Sequence, residues 1–216
     1  MADKSQDDGC KLYILTPPVI EPARFAETLK RAIDAKPENV GAVQLRLKDI
    51  SDDDFKRAAE LILPVCHGFD LPLIINDRPD IAAETGADGV HIGQEDADYA
   101  TAREMLGADG IIGVTCHASR DLAIEAGEKG ADYVAFGAFF PSASKETKHH
   151  PDIELIEAWS MMTTLPCVAI GGITAENCAP LVAAGADYLA VIGAIWSHPD
   201  GPEAGVRAFS ESLQQR

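Results

Sequence analysis

Short apolar runs recur along this chain, each ending abruptly in polar or glycine residues and each followed by a stretch that reads as helix. Eight such runs stand at residues 11–16, 41–46, 73–76, 89–92, 110–114, 133–136, 167–170 and 188–192. Between them, 22–35 and 53–65 carry apolar residues at helical spacing, and 175–184 follows Thr174, a good N-cap, and ends at Gly185, a good C-cap. Strands alternating with helices call for a parallel sheet with right-handed crossovers. Eight units favour a closed (β/α)8 TIM barrel over an open sheet. Three Gly-Ala-Asp triplets, at 86–88, 130–132 and 185–187, fall where a helix stops and the next strand begins, and their glycines suit a left-handed cap.

The polar residues that close each run are chemically capable. They include Gln44, Arg46 and Lys48, then Asn76, Asp77 and Arg78, then Gln94, Glu95 and Asp96, then Thr115, Cys116 and His117. In a TIM barrel such positions gather at the carboxyl ends of the strands, where active sites are built.

Length and composition narrow the picture. The 216 residues suffice for one barrel, near the short limit for that fold. We expect a polar tail at 1–10 and a single catalytic domain over 11–216, since no linker-like stretch separates two units. The acidic start lacks the basic and apolar regions of a signal peptide, and no apolar run approaches membrane-spanning length. Five scattered cysteines (Cys10, Cys66, Cys116, Cys167, Cys178) show no C-x-x-C spacing and read as reduced thiols of a cytoplasmic protein. A net charge of −17 opposes a nucleic-acid surface but not an anionic small-molecule substrate, because a local basic cluster inverts the field within a cleft. A homo-oligomer is compatible with the chain and not established by it.

Gln44, Arg46 and Lys48 alternate, so an extended strand end would point them one way, toward a phosphate or pyrophosphate. The competing reading is an ion-pair cluster with Asp49 and Asp52–Asp54. Asp77 and Asp96 close neighbouring strands and can share a magnesium ion, which prefers oxygen ligands. Alternatively Asp77 caps a helix or pairs Arg78, and Asp96 caps the helix that follows. Gly171-Gly172 and Gly193 follow strands 7 and 8, where main-chain N–H groups form a phosphate cup in many such barrels, or where tight turns need glycine. The long loop from Gly137 to about Pro151 carries Ser142, Ser144, Lys145, Lys148, His149 and His150 and is a candidate lid.

Taken together, these residues resemble thiamine phosphate synthase. The motifs are Gln44-x-Arg46-x-Lys48-Asp49, Asn76-Asp77-Arg78, the run from Gly86 to Gly93-Gln94-Glu95-Asp96, Ile112-Gly-Val-Thr-x-His117, Phe140-Pro-Ser-x-Ser-Lys145 and Ala169-Ile-Gly-Gly-Ile-Thr174. They cover about residues 11–197 in the family's order. The resemblance implies joining an aminopyrimidine pyrophosphate to hydroxyethylthiazole phosphate, giving thiamine phosphate and pyrophosphate. It further implies that Gln44, Arg46, Lys48 and Asn76 bind pyrophosphate, Asp77 and Asp96 bind Mg2+, and Thr115 contacts the pyrimidine. Ser142, Ser144 and Lys145 match loop groups near the phosphates, with Arg46, Lys48 and Lys145 neutralising the leaving group. Gly172, Ile192 and Gly193 match the second phosphate cup. Thr115 stands where the family usually has serine, Ser142 and Ser144 where it has threonine, and Gly193 where it has serine.

The implied reaction is dissociative: pyrophosphate departs, and the thiazole nitrogen attacks the resulting pyrimidine cation. Three rivals share the barrel. A thiazole tautomerase does not need the paired aspartates, an aldolase would want a Schiff-base lysine on a strand, and a non-catalytic phosphate-binding paralogue would bind without turnover.

Overall fold

Eight parallel strands, every one followed by helix, close into a barrel in the order β1 to β8. The structure is a computed structural model and describes residues 9–141 and 151–214. The strands are β1 (Lys11–Leu15), β2 (Val40–Leu45), β3 (Leu73–Asn76), β4 (Gly89–Ile92), β5 (Ile111–His117), β6 (Tyr133–Gly137), β7 (Cys167–Ile170) and β8 (Tyr188–Val191). The outer helices are α1 (Pro22–Asp34), α2 (Asp52–His67), α3 (Pro79–Thr85), α4 (Tyr99–Leu106) and α5 (Arg120–Lys129). They continue as α6 (Glu154–Met162), α7 (Ala179–Ala183), α8 (Gly193–Trp196), α9 (Pro202–Ala208) and α10 (Ser210–Leu213). Among the described residues no helix is long and apolar enough to cross a membrane.

Alternation along each strand sorts side chains between two cores. Leu12, Ile14, Val43, Leu45, Ile75, Val134, Phe136 and Leu189 face outward and pack under the helices. Tyr13, Leu15, Ile74, Tyr133, Ala135, Val168 and Ala190 fill the barrel interior. The seam closes where β1 pairs with β8 as well as β2. There Trp196 Nε1 donates to the Leu15 carbonyl at 2.7 Å, and its ring packs on Phe25.

Two expectations shift. The fifth strand runs three residues past 114, because His117, at φ 52°, pairs with Phe136 across an irregularity after Thr115. The helix expected over 175–184 is confined to Ala179–Ala183. Thr174 does not cap it: its carbonyl accepts from Asn177 and Cys178, and Asn177 Oδ1 accepts from Thr174 N–H, making a separate turn. Its C-cap is Ala184 rather than Gly185, which at φ 98° begins the descent to β8.

The Gly-Ala-Asp triplets have a concrete function at the amino-terminal rim. Gly86 and Gly130 are left-handed caps of α3 and α5. Each triplet's aspartate then reaches back to the preceding strand: Asp88 Oδ2 accepts from Leu73 N–H (2.7 Å), Asp132 from Ile112 (2.9 Å) and Asp187 from Cys167 (2.9 Å). Asp132 also receives Arg103 at 3.0 Å. Asp132→Ala would leave a strand N–H and a guanidinium without this partner. The expected loss is about 1–3 kcal/mol, a fall in Tm of roughly 2–10 °C by thermal unfolding, with an unchanged Tm contradicting the assignment.

Candidate active site

The carboxyl ends of β1 and β2 are locked together by main chain. Thr16, fully buried, donates its N–H to the Gln44 carbonyl, and its Oγ1 accepts from Arg46 N–H at 2.9 Å. Lys48 N–H donates to the Pro18 carbonyl. The basic pair is therefore carried on clamped backbone just beyond β2. Gln44 sits one step deeper, 3% exposed inside the barrel, and its Nε2 donates to Tyr13 Oη at 2.9 Å. Arg46 is half-buried and Lys48 exposed, and neither forms an ion pair with a described residue. Two of the acidic neighbours are otherwise engaged: Asp52 grips Arg78 through both oxygens, and Asp54 belongs to the Ser51 cap of α2.

Arg78 makes a second fork onto Asp80. Asp77 is thus neither Arg78's partner nor a helix cap. Its backbone takes the left-handed region (φ 63°), and its N–H donates to the His91 carbonyl of β4 at 2.8 Å. The helix after β4 is capped by Asp98, whose Oδ1 accepts from Thr101 N–H. This leaves Asp96 at the rim, held by Gly93 N–H at 2.7 Å. Partial loss of hydration, then the Asp96 carboxylate within hydrogen-bonding reach, push the Asp77 carboxyl up to about 6, while Arg46 pulls it down. Two neighbouring carboxylates beside a guanidinium suit a hard cation that keeps several waters. Among the described residues no cluster of three or more His, Cys, Asp or Glu side chains offers a fuller metal cage.

Beneath this rim lies a group of residues that reading the sequence missed. Tyr13 and Tyr133 hydroxyls meet at 2.8 Å, and Tyr133 Oη lies 3.0 Å from His91 Nδ1. His91 Nε2 lies 2.7 Å from Thr115 Oγ1. Gln94 Nε2 donates to the Thr115 carbonyl at 2.6 Å. Burial holds His91 down to about 4, so it is neutral, and raises both tyrosines above their ordinary value. The available signal was parity: Tyr13, Gln44, His91, Thr115 and Tyr133 all fall on inward-facing positions of their strands.

On the far side, Gly171 and Gly172 have φ of 104° and 61°. A Cβ on Gly172 would meet the Pro141 carbonyl oxygen at 2.3 Å, and one on Gly171 the Ala138 Cβ at 2.2 Å. Glycine is required here so that the segment after β6 can lie against the end of β7. Asn177 Nδ2 ties the Gly172 carbonyl at 2.9 Å. Ile192 precedes α8, whose first residue, Gly193, is exposed with open space where a Cβ would stand. Ser142, Ser144, Lys145, Lys148, His149 and His150 lie outside the described residues. Cys116 is fully buried with its thiol pushed up to about 12, which makes it a packing residue rather than a nucleophile.

A cavity of about 1080 Å³ opens at the opposite, amino-terminal end, lined by Pro72, Ile111, Asp132, Leu165, Pro166 and Tyr188 among others. Its wall is mainly apolar, and Asp132 is already spent on Ile112 and Arg103. The charged and polar convergence lies at the carboxyl-terminal rim, where TIM-barrel chemistry is found.

Comparison with known proteins agrees. The family model described as thiamine monophosphate synthase matches residues 12–195. The chain is 54% identical over 205 residues to a thiamine-phosphate synthase of Rhodospirillum centenum, covering 95% of this chain and 98% of the relative. It is 48% identical to one of Erythrobacter litoralis, covering 94% and 95%. The solved thiamine phosphate pyrophosphorylase of Pyrococcus furiosus superposes with a TM-score of 0.82 at 27% identity, covering 95% of this chain and 96% of that one.

Asp77 and His91 make opposite contributions to stability across acid pH. With its carboxyl raised to about 6, folded Asp77 takes up a proton that the unfolded chain releases near its ordinary value, so its contribution falls as pH rises through about 4 to 6. His91, held down to about 4, contributes stability that is lost as pH falls from about 6.5 towards 4. Asp77→Asn removes only the first effect. In metal-free buffer at pH 7.5 the variant should be more stable by on the order of 1 kcal/mol, allowing for solvent screening of an exposed carboxylate. Denaturant titrations should show the difference shrinking as pH approaches 4, and a difference independent of pH would contradict the coupling.

Proposed function

This chain belongs to the thiamine monophosphate synthase family, and we propose that it transfers the 4-amino-2-methylpyrimidin-5-ylmethyl group from its pyrophosphate to hydroxyethylthiazole phosphate. Thiamine phosphate and pyrophosphate are the products, formed by a dissociative, magnesium-dependent route. The relatives named above are thiamine-phosphate synthases, which supports the reading. The observation that carries the reading is the placement of Asp77 and Asp96 against one another beside Arg46, free of the caps and ion pairs that would explain them otherwise.

Arg46 and Lys48, on clamped backbone and unpaired among the described residues, bind the pyrophosphate and neutralise charge as it leaves. Asn76, at the end of β3, adds a polar contact on the same rim. Asp77 and Asp96 would hold Mg2+, which when bound neutralises the departing oxygens. Thr115 meets the pyrimidine, with Gln44 on the inner wall. Gly172, Ile192 and Gly193 present main chain to the thiazole phosphate, which sets the direction of attack. Lys145, Ser142 and Ser144 complete the phosphate contacts from the loop after β6. The five unbridged, buried cysteines support a cytoplasmic setting.

Product formation from the two phosphorylated halves tests the reading directly. Wild type should make thiamine phosphate only with magnesium, and Asp96→Ala should lose about a hundredfold or more. A wild-type protein that binds the pyrimidine pyrophosphate but yields no product would favour a binding paralogue. Gly193→Ser restores the hydroxyl usual in the family at a position with room for it. It should lower KM for the thiazole phosphate by about 3- to 10-fold with Tm nearly unchanged, and an unaltered KM would place that phosphate elsewhere.

A further inference from the structure

Five side chains from five strands form one continuous hydrogen-bonded line through the barrel: Gln44, Tyr13, Tyr133, His91 and Thr115. Tyr13, Tyr133 and His91 are each under 9% exposed, so water does not replace a missing partner at the middle of the line. A hydroxyl has one proton and a neutral imidazole one N–H, so each link needs one donor and the line has a single direction. Gln44 Nε2 donates to Tyr13 Oη. Tyr13 must then donate to Tyr133, Tyr133 to His91 Nδ1, and His91 Nε2–H to Thr115 Oγ1.

The two ends are therefore not independent. Gln44 keeps its Oε1 as an acceptor, and Thr115 keeps its hydroxyl proton as a donor; neither atom is used by a described residue. With Gln44 Nε2 as the donor that starts the line, the Gln44 end offers an acceptor and the Thr115 end a donor. Resting on the function proposed above, we infer that Tyr13, Tyr133 and His91 are positioning residues that fix this polarity and thereby select a 4-aminopyrimidine over its 4-oxo counterpart. An aminopyrimidine has an N–H to give to Gln44 Oε1 and an unprotonated ring nitrogen to receive the Thr115 hydroxyl. The 4-oxo ring carries an acceptor in place of the amino donor and leaves Gln44 Oε1 facing another lone pair.

The test has a spectroscopic arm and a selectivity arm. Nitrogen-15 NMR of wild-type protein should show His91 as the Nε2–H tautomer. Tyr133→Phe keeps the ring but cuts the line. It should lower the preference for the amino over the oxo pyrimidine pyrophosphate, measured as the ratio of kcat/KM values, by about tenfold or more. Inhibition by inorganic pyrophosphate, which needs only the rim, should be unchanged. Tyr13→Phe cuts the line one link away and should do the same, so a folding failure of one variant, seen by thermal unfolding, leaves the other to decide. An Nδ1–H tautomer, or an unchanged ratio in folded variants of an enzyme that makes thiamine phosphate, would overturn the inference. Absence of product from wild type with both halves and magnesium would overturn the function itself, and this inference with it.

Discussion

Closure of the parallel sheet is the constraint on which everything else depends. β1 pairs with β2 on one side and β8 on the other, and every pairing in between is parallel. All eight carboxyl ends must therefore meet at one rim. Arg46, Asp77, Asp96, Thr115, Gly172 and Gly193, dispersed along the chain, converge for that reason and not through any local attraction. The opposite rim does different work: the aspartates of the Gly-Ala-Asp triplets bind strand N–H groups at the starts of β3, β5 and β7. Holding power and chemistry are thus segregated to opposite ends of one barrel.

The rim is where an acidic protein would meet the anionic substrates proposed for it. The chain carries a net charge of −17, yet Asp52, Asp54 and Asp80 near β2 and β3 are taken by the Ser51 cap and by Arg78. That leaves Arg46 beside the carboxylates of Asp77 and Asp96. On the proposed function, a cation and a pyrophosphate arriving together would relieve both charges at once. Below it, the interior line from Gln44 to Thr115 replaces what would be apolar packing with a fully connected polar path, tolerable because every buried polar side chain among the described residues has a partner.

Much of this was legible from the amino acids. The apolar runs locate all eight strands to within a few residues, because a strand covered on both faces tolerates little else. The β4 run ending in Gly93-Gln94-Glu95-Asp96 marked the carboxylate pair. What local pattern could not decide was competition between partners: nothing in the spacing says that Arg78 chooses Asp52 and Asp80, or that Asp98 rather than Asp96 caps α4. Thr174 looked like a cap because its type and position fit, but Asn177 turns the chain first. Tyr13, Tyr133 and His91 were hidden inside apolar runs, where an aromatic residue reads as packing. Their meaning depends on barrel closure bringing β1, β4 and β6 face to face across the interior.

On the proposed function, Asp77 and Asp96 jointly hold a divalent cation at this rim. Anomalous scattering from crystals grown with Mn2+ and pyrophosphate tests it most directly. One strong peak is expected between the two carboxylates, with pyrophosphate oxygens on its open side towards Arg46 and Lys48. A peak on other ligands, or pyrophosphate bound at the rim with no metal between Asp77 and Asp96, would contradict it.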